Sequence, residues 1–237
     1  MYGKRILVAL VVAVALLNSC GDDDTTNGGG TSTTTTTGAD STATSEPVAL
    51  EQPAIWPAAE VVFETPDEAA KDFVTKVLGV PPVLGEFKQG DARSGEMEVL
   101  SPGEGDAGTP VVRGLLQLRQ LGRDDGWFIL AAANDNASIT APVSLAEVAA
   151  GPLTVEGVAR GFEANVVVTA FVAGDADTQL DRAITQGGAF ATPEPFTVSV
   201  DLSGATPGDV ITLLVRGGTG LETDPGDFGA IPVVITG

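Results

Sequence analysis

The sequence predicts a mainly β protein: an immunoglobulin-like β-sandwich at the C-terminus, preceded by a small α+β domain and, ahead of both, a disordered tether. Three observations predict it. From Ile139 onward, seven short apolar runs are divided by Gly, Pro and Asp with no helical period among them, which is the texture of a sandwich. Between 55 and 137, one amphipathic helical pattern is followed by segments of strand character. From Gly21 to Pro47 no large apolar residue is present to build a core.

Lys4 and Arg5 precede an unbroken apolar run from Ile6 to Leu17. About a dozen apolar residues fall short of the roughly 20 that span a bilayer, so residues 1–19 read as a cleaved export signal. The run ends in Leu17-Asn18-Ser19-Cys20, which resembles the bacterial lipobox, and Cys20 is the only cysteine of the chain. The resemblance implies lipidation of Cys20 after cleavage, an N-terminus seated in the lipid bilayer, and a protein on the extracytoplasmic face of the cell membrane. An ordinary secretory signal that leaves a stray thiol is the plain alternative. With Cys20 modified there is no disulfide, so each folded part must stand on apolar burial.

Residues 20–54 form the tether, with Asp22-Asp23-Asp24, Gly28-Gly29-Gly30, and Thr31 to Thr37 interrupted only by Ser32. A flexible coil of this length spans roughly 30 Å end to end. The threonines read as solvated spacer, with O-linked sugars as the alternative.

Charge narrows the partners. The chain holds 12 basic and 32 acidic residues, and the signal takes two of the basic ones and none of the acidic, so ten face 32 in residues 20–237, a formal charge of −22. Such a chain repels nucleic acid and anionic headgroups, which leaves acyl chains to do the anchoring, two or more for stable attachment. There is no histidine, and Tyr2 is the only tyrosine. Ser-His-Asp and Cys-His nucleophilic sites and histidine-ligated zinc are therefore excluded. Nothing in the sequence calls for a cofactor.

In the segment 55–137, order begins near Ile55-Trp56-Pro57. Thr65-Pro66-Asp67-Glu68 has the pattern of a capping box, with Thr65 as cap and Pro66 in the first turn. Ala69, Ala70, Phe73, Val74, Val77 and Leu78 recur at helical spacing, and Gly79 closes the helix before Pro81-Pro82. Strands follow at Val83–Lys88, Glu96–Leu100, Val111–Leu121 and Trp127–Ala133, the last two joined by the turn-rich Gly122-Arg123-Asp124-Asp125-Gly126.

In the segment 138–237, strands are expected at Ile139–Ala141, Leu153–Ala159, Asn165–Ala173, Leu180–Thr185, Phe196–Leu202, Val210–Arg216 and Ile231–Thr236. Phe196, Val198, Val200 and Leu202 alternate with polar residues, the period of a strand with one buried face. The run from Pro152 to Val166, with Val155-Glu156-Gly157-Val158 and Arg160-Gly161-Phe162 inside it, resembles the first hairpin of the Gmad2 domain, the immunoglobulin-like domain of bacterial spore-germination proteins. Pro195-Phe196-Thr197-Val198 and Ile231-Pro232-Val233-Val234-Ile235 take the places of its later strands. This resemblance covers about 139–237 and implies an extracytoplasmic module of envelope lipoproteins, with no catalytic residues.

Candidate chemistry is sparse. Asp175-Ala176-Asp177 and Asn134-Asp135-Asn136 offer oxygens to calcium without completing a binding loop. Gly217-Gly218-Thr219-Gly220 follows a strand like a phosphate cradle, but neither lysine nor helix comes after it. Trp127 reads as core, and Trp56 as a staple for the end of the tether. Arg113, Arg119, Arg123 and Arg160 are rare positive points, one of which can clamp a carboxylate and hold the two halves together. The expected function is a non-enzymatic binding or structural lipoprotein of the cell envelope, its partner an envelope protein or wall component. The alternatives are a glycan hydrolase built on paired carboxylates and a solute-binding lipoprotein.

Overall fold

Thr65 starts helix α1 (Pro66–Phe73) in this computed structural model, which describes residues 50–103, 108–189 and 191–237. The export signal, Cys20 and all but the last residues of the tether lie outside the described residues. The Glu68 amide donates to Thr65 Oγ1 at 3.3 Å and the Thr65 amide to Glu68 Oε2 at 3.2 Å, the capping box that the sequence predicts. Ala69, Ala70 and Phe73 are buried, and a π-helical turn, Val74–Leu78, continues the stripe with Val74 and Leu78. Gly79 ends it at φ 71°, a left-handed value that favours glycine.

The strands are β1 (Lys88–Asp91), β2 (Ser94–Leu100), β3 (Val112–Leu121), β4 (Gly126–Ala133), β5 (Ala137–Ala141), β6 (Glu147–Ala149), β7 (Pro152–Ala159), β8 (Asn165–Val172), β9 (Gln179–Gln186), β10 (Glu194–Asp201), β11 (Val210–Gly217) and β12 (Asp227–Thr236). Nine of them form one sheet in the order β1-β2-β3-β4-β12-β11-β8-β9, with β6 added beside β12, and β10-β7-β5 form a second sheet. All seven strands expected beyond residue 138 are present within a few residues of their predicted bounds, and the β3–β4 hairpin turns at 122–125 as expected. The segment expected as a strand at 83–88 is irregular. It keeps two backbone hydrogen bonds to β2, Gly85 N to Glu98 O and Leu100 N to Val83 O, and Phe87 then packs edge-on against Trp127 at 5.2 Å. Regular pairing resumes only at Lys88.

The expected boundary at 137/138 falls at the start of β5, after its first residue, and the large sheet crosses it through the pairing of Ala230 with Ala132. Side-chain alternation explains how one sheet serves both halves. On β11, Ile211, Leu213 and Val215 face β5, β7 and β10, while Leu214 faces the helix side. On β12, Val233 and Ile235 take the first face, and Phe228 and Ala230 the second. The result is three layers in the described residues: helix, nine-stranded sheet, three-stranded sheet. The sandwich core holds Val155, Phe196, Val200 and Leu202 against Val166, Val168, Ile211 and Leu213. The helix-side core joins Phe73, Met97, Leu116, Leu118 and Ile129 to Phe171, Leu214 and Phe228 from the second half.

Leu50 and Glu51, ahead of the expected start, already make contacts. Glu51 Oε2 accepts from the Gly122 amide at 2.8 Å, and Ala54 packs with Leu121 and Phe128. Trp56 is buried, donates from Nε1 to Asp72 Oδ2 at 3.0 Å and meets Phe73 edge-on, so it staples the incoming chain as expected. Trp127 is core.

Gly114 of β3 lies under the ring of Phe228, where an added Cβ would stand 2.5 Å from Cζ. Gly114→Ala must displace a ring that both halves bury, and overpacking of this kind costs about 1–3 kcal/mol. Urea unfolding monitored by tryptophan fluorescence should show that loss as a lower midpoint with an unchanged slope.

Candidate functional site

Two arrangements of charge stand out against the acidic surface. The first is internal. Asp224 and Asp227, each with only 5% of its side chain exposed, flank Pro225 and Gly226 at the entry to β12. Arg113 on β3 donates from Nη2 to Asp224 Oδ2 at 2.6 Å, and Arg160, just past β7, donates from Nε to Asp227 Oδ2 at 2.8 Å. Arg113 Nη1 also stands 3.6 Å from Asp227 Oδ1, an ion pair too long for a hydrogen bond. Arg113 Nε and Asp227 Oδ1 are accordingly buried without hydrogen-bond partners. Backbone contacts close the network: Asn134 Nδ2 donates to Arg113 O, the Asn136 amide to Asn134 Oδ1, and the Arg160 amide to Asn136 O. Arginine thus does hold the two halves together, through Arg113, while Arg160 fixes Asp227 from within the second half. Arg119 meets Asp91 at 3.5 Å on the surface.

The second arrangement is an open cleft of about 330 Å³ on the helix side of the large sheet, beyond the end of α1. Its floor is Phe171, Leu214 and Arg216, and its rim carries Lys76 from the π-helical turn and Gln179 and Arg182 from β9. Cross-strand register sets the geometry: Thr169 of β8 sits between Arg182 and Leu214, and Val167 sits opposite Arg216. Among the described residues no carboxylate lines the cleft.

Arg216 is part-buried, and its partners are carbonyls. Nη1 donates to Leu78 O at 3.0 Å, while Nε and Nη2 donate to Pro225 O at 3.2 and 2.9 Å. Leu78 O belongs to the last helical turn, whose carbonyls lack helical partners, so the guanidinium closes both that turn and the β11–β12 loop. Burial lowers the pKa of Arg216 from its ordinary value, Arg182 lowers it further, and Asp224 opposes them. Among the described residues, neither Arg182 nor Arg216 has a carboxylate within ion-pair distance.

The sequence motifs lie elsewhere or serve turns. Asp175 Oδ1 accepts from the amides of Asp177 and Thr178, and its Oδ2 accepts from the Thr178 hydroxyl. That hydroxyl, ahead of the two amides, holds the Asp175 carboxyl below its ordinary value. Asn134 and Asn136 belong to the arginine network. No group of three His, Cys, Asp or Glu gathers as a metal site among the described residues. In the glycine-rich run, Gly217 pairs with Asp227 and Gly218 borders the cleft, with a loop following rather than a helix. Sequence reasoning missed Lys76, Arg182 and Arg216 as a group. Their one available signal was scarcity, since an acidic chain spends few cations.

Residues 136–217 match the family model described as the immunoglobulin-like domain of bacterial spore germination, Gmad2. The match stops at the end of β11, short of the closing strand that the sequence resemblance took in. No curated protein and no solved structure matches the chain.

Removing one partner from a buried ion pair costs about 3–5 kcal/mol, because the other charge stays buried and alone. Asp227→Ala, which strands Arg160, should lose that much in urea unfolding. Arg119→Gln, at an exposed pair, should lose less than about 1 kcal/mol.

Proposed function

We propose that this chain is a lipoprotein of the cell envelope, held to the extracytoplasmic face of the membrane by an acylated Cys20, whose folded part is a non-catalytic binding or structural module. The observation that carries the reading is the pairing of a lipobox-like Leu17-Asn18-Ser19-Cys20 with a domain of the spore-germination immunoglobulin-like family. Immunoglobulin-like sandwiches work as scaffolds whose loops and faces meet partners. The absence of histidine from the sequence supports a non-catalytic role. So does the fate of the two buried carboxylates, Asp224 and Asp227, which are tied to arginines rather than turned toward a substrate. Among the described residues no helix is long and apolar enough to cross a membrane, and in this reading none is needed.

The mechanism is mechanical and electrostatic. Each buried methylene of an acyl chain contributes about 0.8 kcal/mol, so two or more chains retain the protein without help from basic residues. The acidic tether and body are repelled by anionic headgroups, which favours holding the sandwich away from the bilayer.

Cys20→Ser should move the protein from the membrane fraction to the soluble exported fraction, and mass spectrometry of the native protein should find acylated Cys20 as its first residue. Retention of Cys20→Ser in the membrane fraction, or an unmodified thiol, would overturn the anchor.

A further inference from the structure

We infer that the cleft over β8, β9 and β11 binds a small organic anion, with its phosphate or carboxylate group between Arg216, Arg182 and Lys76 and its apolar part on Val77 and Val167. This names the ligand class of the binding module proposed above and rests on that reading, though not on the lipid anchor.

Distribution of charge is the first argument. Ten basic residues lie beyond the signal, against 32 acidic ones. Three of the ten line this one cleft, and among the described residues no acidic one does. On a body whose overall field repels anions, such a cleft is a local reversal of sign, and low-dielectric walls concentrate its effect.

The second argument is the state of Arg216. A guanidinium has five N–H donors; three are engaged with Leu78 O and Pro225 O, which leaves one on each terminal nitrogen. Carbonyls satisfy donors but leave the net charge uncompensated. Desolvating a charge without a counter-ion is unfavourable, and Arg182 beside it adds repulsion. Both unfavourable terms are relieved when an oxyanion enters. The two free donors suit two oxygens of one phosphate or carboxylate.

Third, the floor is mixed in a way that a purely structural arginine does not require. Thr169 offers a hydroxyl in register with Arg182, and Gln179 offers an amide at the rim. Val77 and Val167, both half-buried, supply an apolar surface next to the charge, over the buried Phe171 and Leu214. Lys76 is shared with Asp72 at 2.9 Å and stands 5.9 Å from the Trp56 ring, so it attracts from the rim while staying on its own element. Asp175 and Asp177 border the neighbouring groove, which shares Lys76 and Ala176 with the cleft. They disfavour a second anionic group, so the far end of the ligand is uncharged or cationic.

The test is calorimetric titration of the purified mature chain with phenyl phosphate, benzoate, inorganic phosphate and benzyl alcohol. Phenyl phosphate or benzoate should saturate one site, and the stronger of the two identifies the oxyanion. Benzyl alcohol should not bind, and inorganic phosphate should bind more weakly than phenyl phosphate. Arg182→Gln, on an exposed edge strand and without an ion pair, should keep the thermal unfolding midpoint and weaken binding about 10- to 100-fold, as expected for a lost charged hydrogen bond. Arg216→Lys, which keeps the charge but not the fork, should weaken it as well, while Lys88→Gln, on the far edge of the sheet, should leave it unchanged. Failure of both aromatic anions to saturate by about 10 mM, or equal affinity in Arg182→Gln, would overturn the site. Retention of Cys20→Ser in the membrane fraction with titration intact would overturn localisation alone.

Discussion

Strands β11 and β12 are apolar on both faces, and a strand of that kind must be covered twice. One covering is the three-stranded sheet, which makes the immunoglobulin-like sandwich. The other is the N-terminal half, with Phe73 of α1 and Leu116, Leu118 and Ile129 of β3 and β4 reaching Leu214, Phe228 and Ala230. Hydrophobic burial contributes roughly 25 cal/mol per Å² of apolar surface removed from water. Without the N-terminal half, the sandwich would present the ring of Phe228, now fully buried, to solvent. The helix-sheet segment is therefore best understood as the second lid of the sandwich. A chain without disulfides gains from this economy, since one sheet supports two cores.

The same sharing explains where charge goes. Acidic residues dominate the surface, yet the interior near the junction holds Arg113 and Arg160 with Asp224 and Asp227. A buried ion pair adds little net stability over a well-packed apolar pair, but its geometry is selective, because a misplaced partner leaves a charge uncompensated. Here the pairs span β3, the end of β7 and the start of β12, elements that must meet correctly for both layers to close. Register between the halves is the feature this network specifies.

Much of the architecture was legible in the sequence, because its signals are local. Thr65 and Glu68 lie three residues apart, and Gly79 follows the last periodic leucine, so the helix could be bounded by reading along the chain. Alternation at Phe196, Val198, Val200 and Leu202 declared a half-buried strand in the same way. The shared sheet was not legible, since Leu213 and Leu214 look alike in a sequence and only the pairing of β12 with β4 gives them different cores. Strand β6 was missed because three residues, Glu147 to Ala149, are too few to display a period, and their pairing with Val234, Ile235 and Thr236 is parallel and non-local. The Val83–Lys88 segment was read as regular because Phe87 fits a strand pattern, whereas its ring belongs to Trp127. The cleft escaped for a further reason: Lys76, Arg182 and Arg216 come from a helical turn, an edge strand and a central strand, and only tertiary structure brings them together.

The segment Asp224-Pro225-Gly226-Asp227 joins the two charge arrangements. Its carboxylates are taken by Arg113 and Arg160, and the carbonyl of Pro225, between them, takes Arg216. Gly226 donates its amide back to Asp224 Oδ1, which fixes the turn. Two arginines thus consume the local negative charge, and the third receives only a dipole. Had either aspartate turned toward Arg216, the cleft would already contain its counter-ion and no external anion would be attracted. The internal network therefore does more than brace the sheet: by committing both carboxylates inward, it leaves Arg216 cationic, held by the carbonyls of Pro225 and Leu78 with one N–H left on each terminal nitrogen. Rigid placement lowers the ordering cost that a ligand must otherwise overcome, so the pairing that stabilises the junction also prepares the cation beside it.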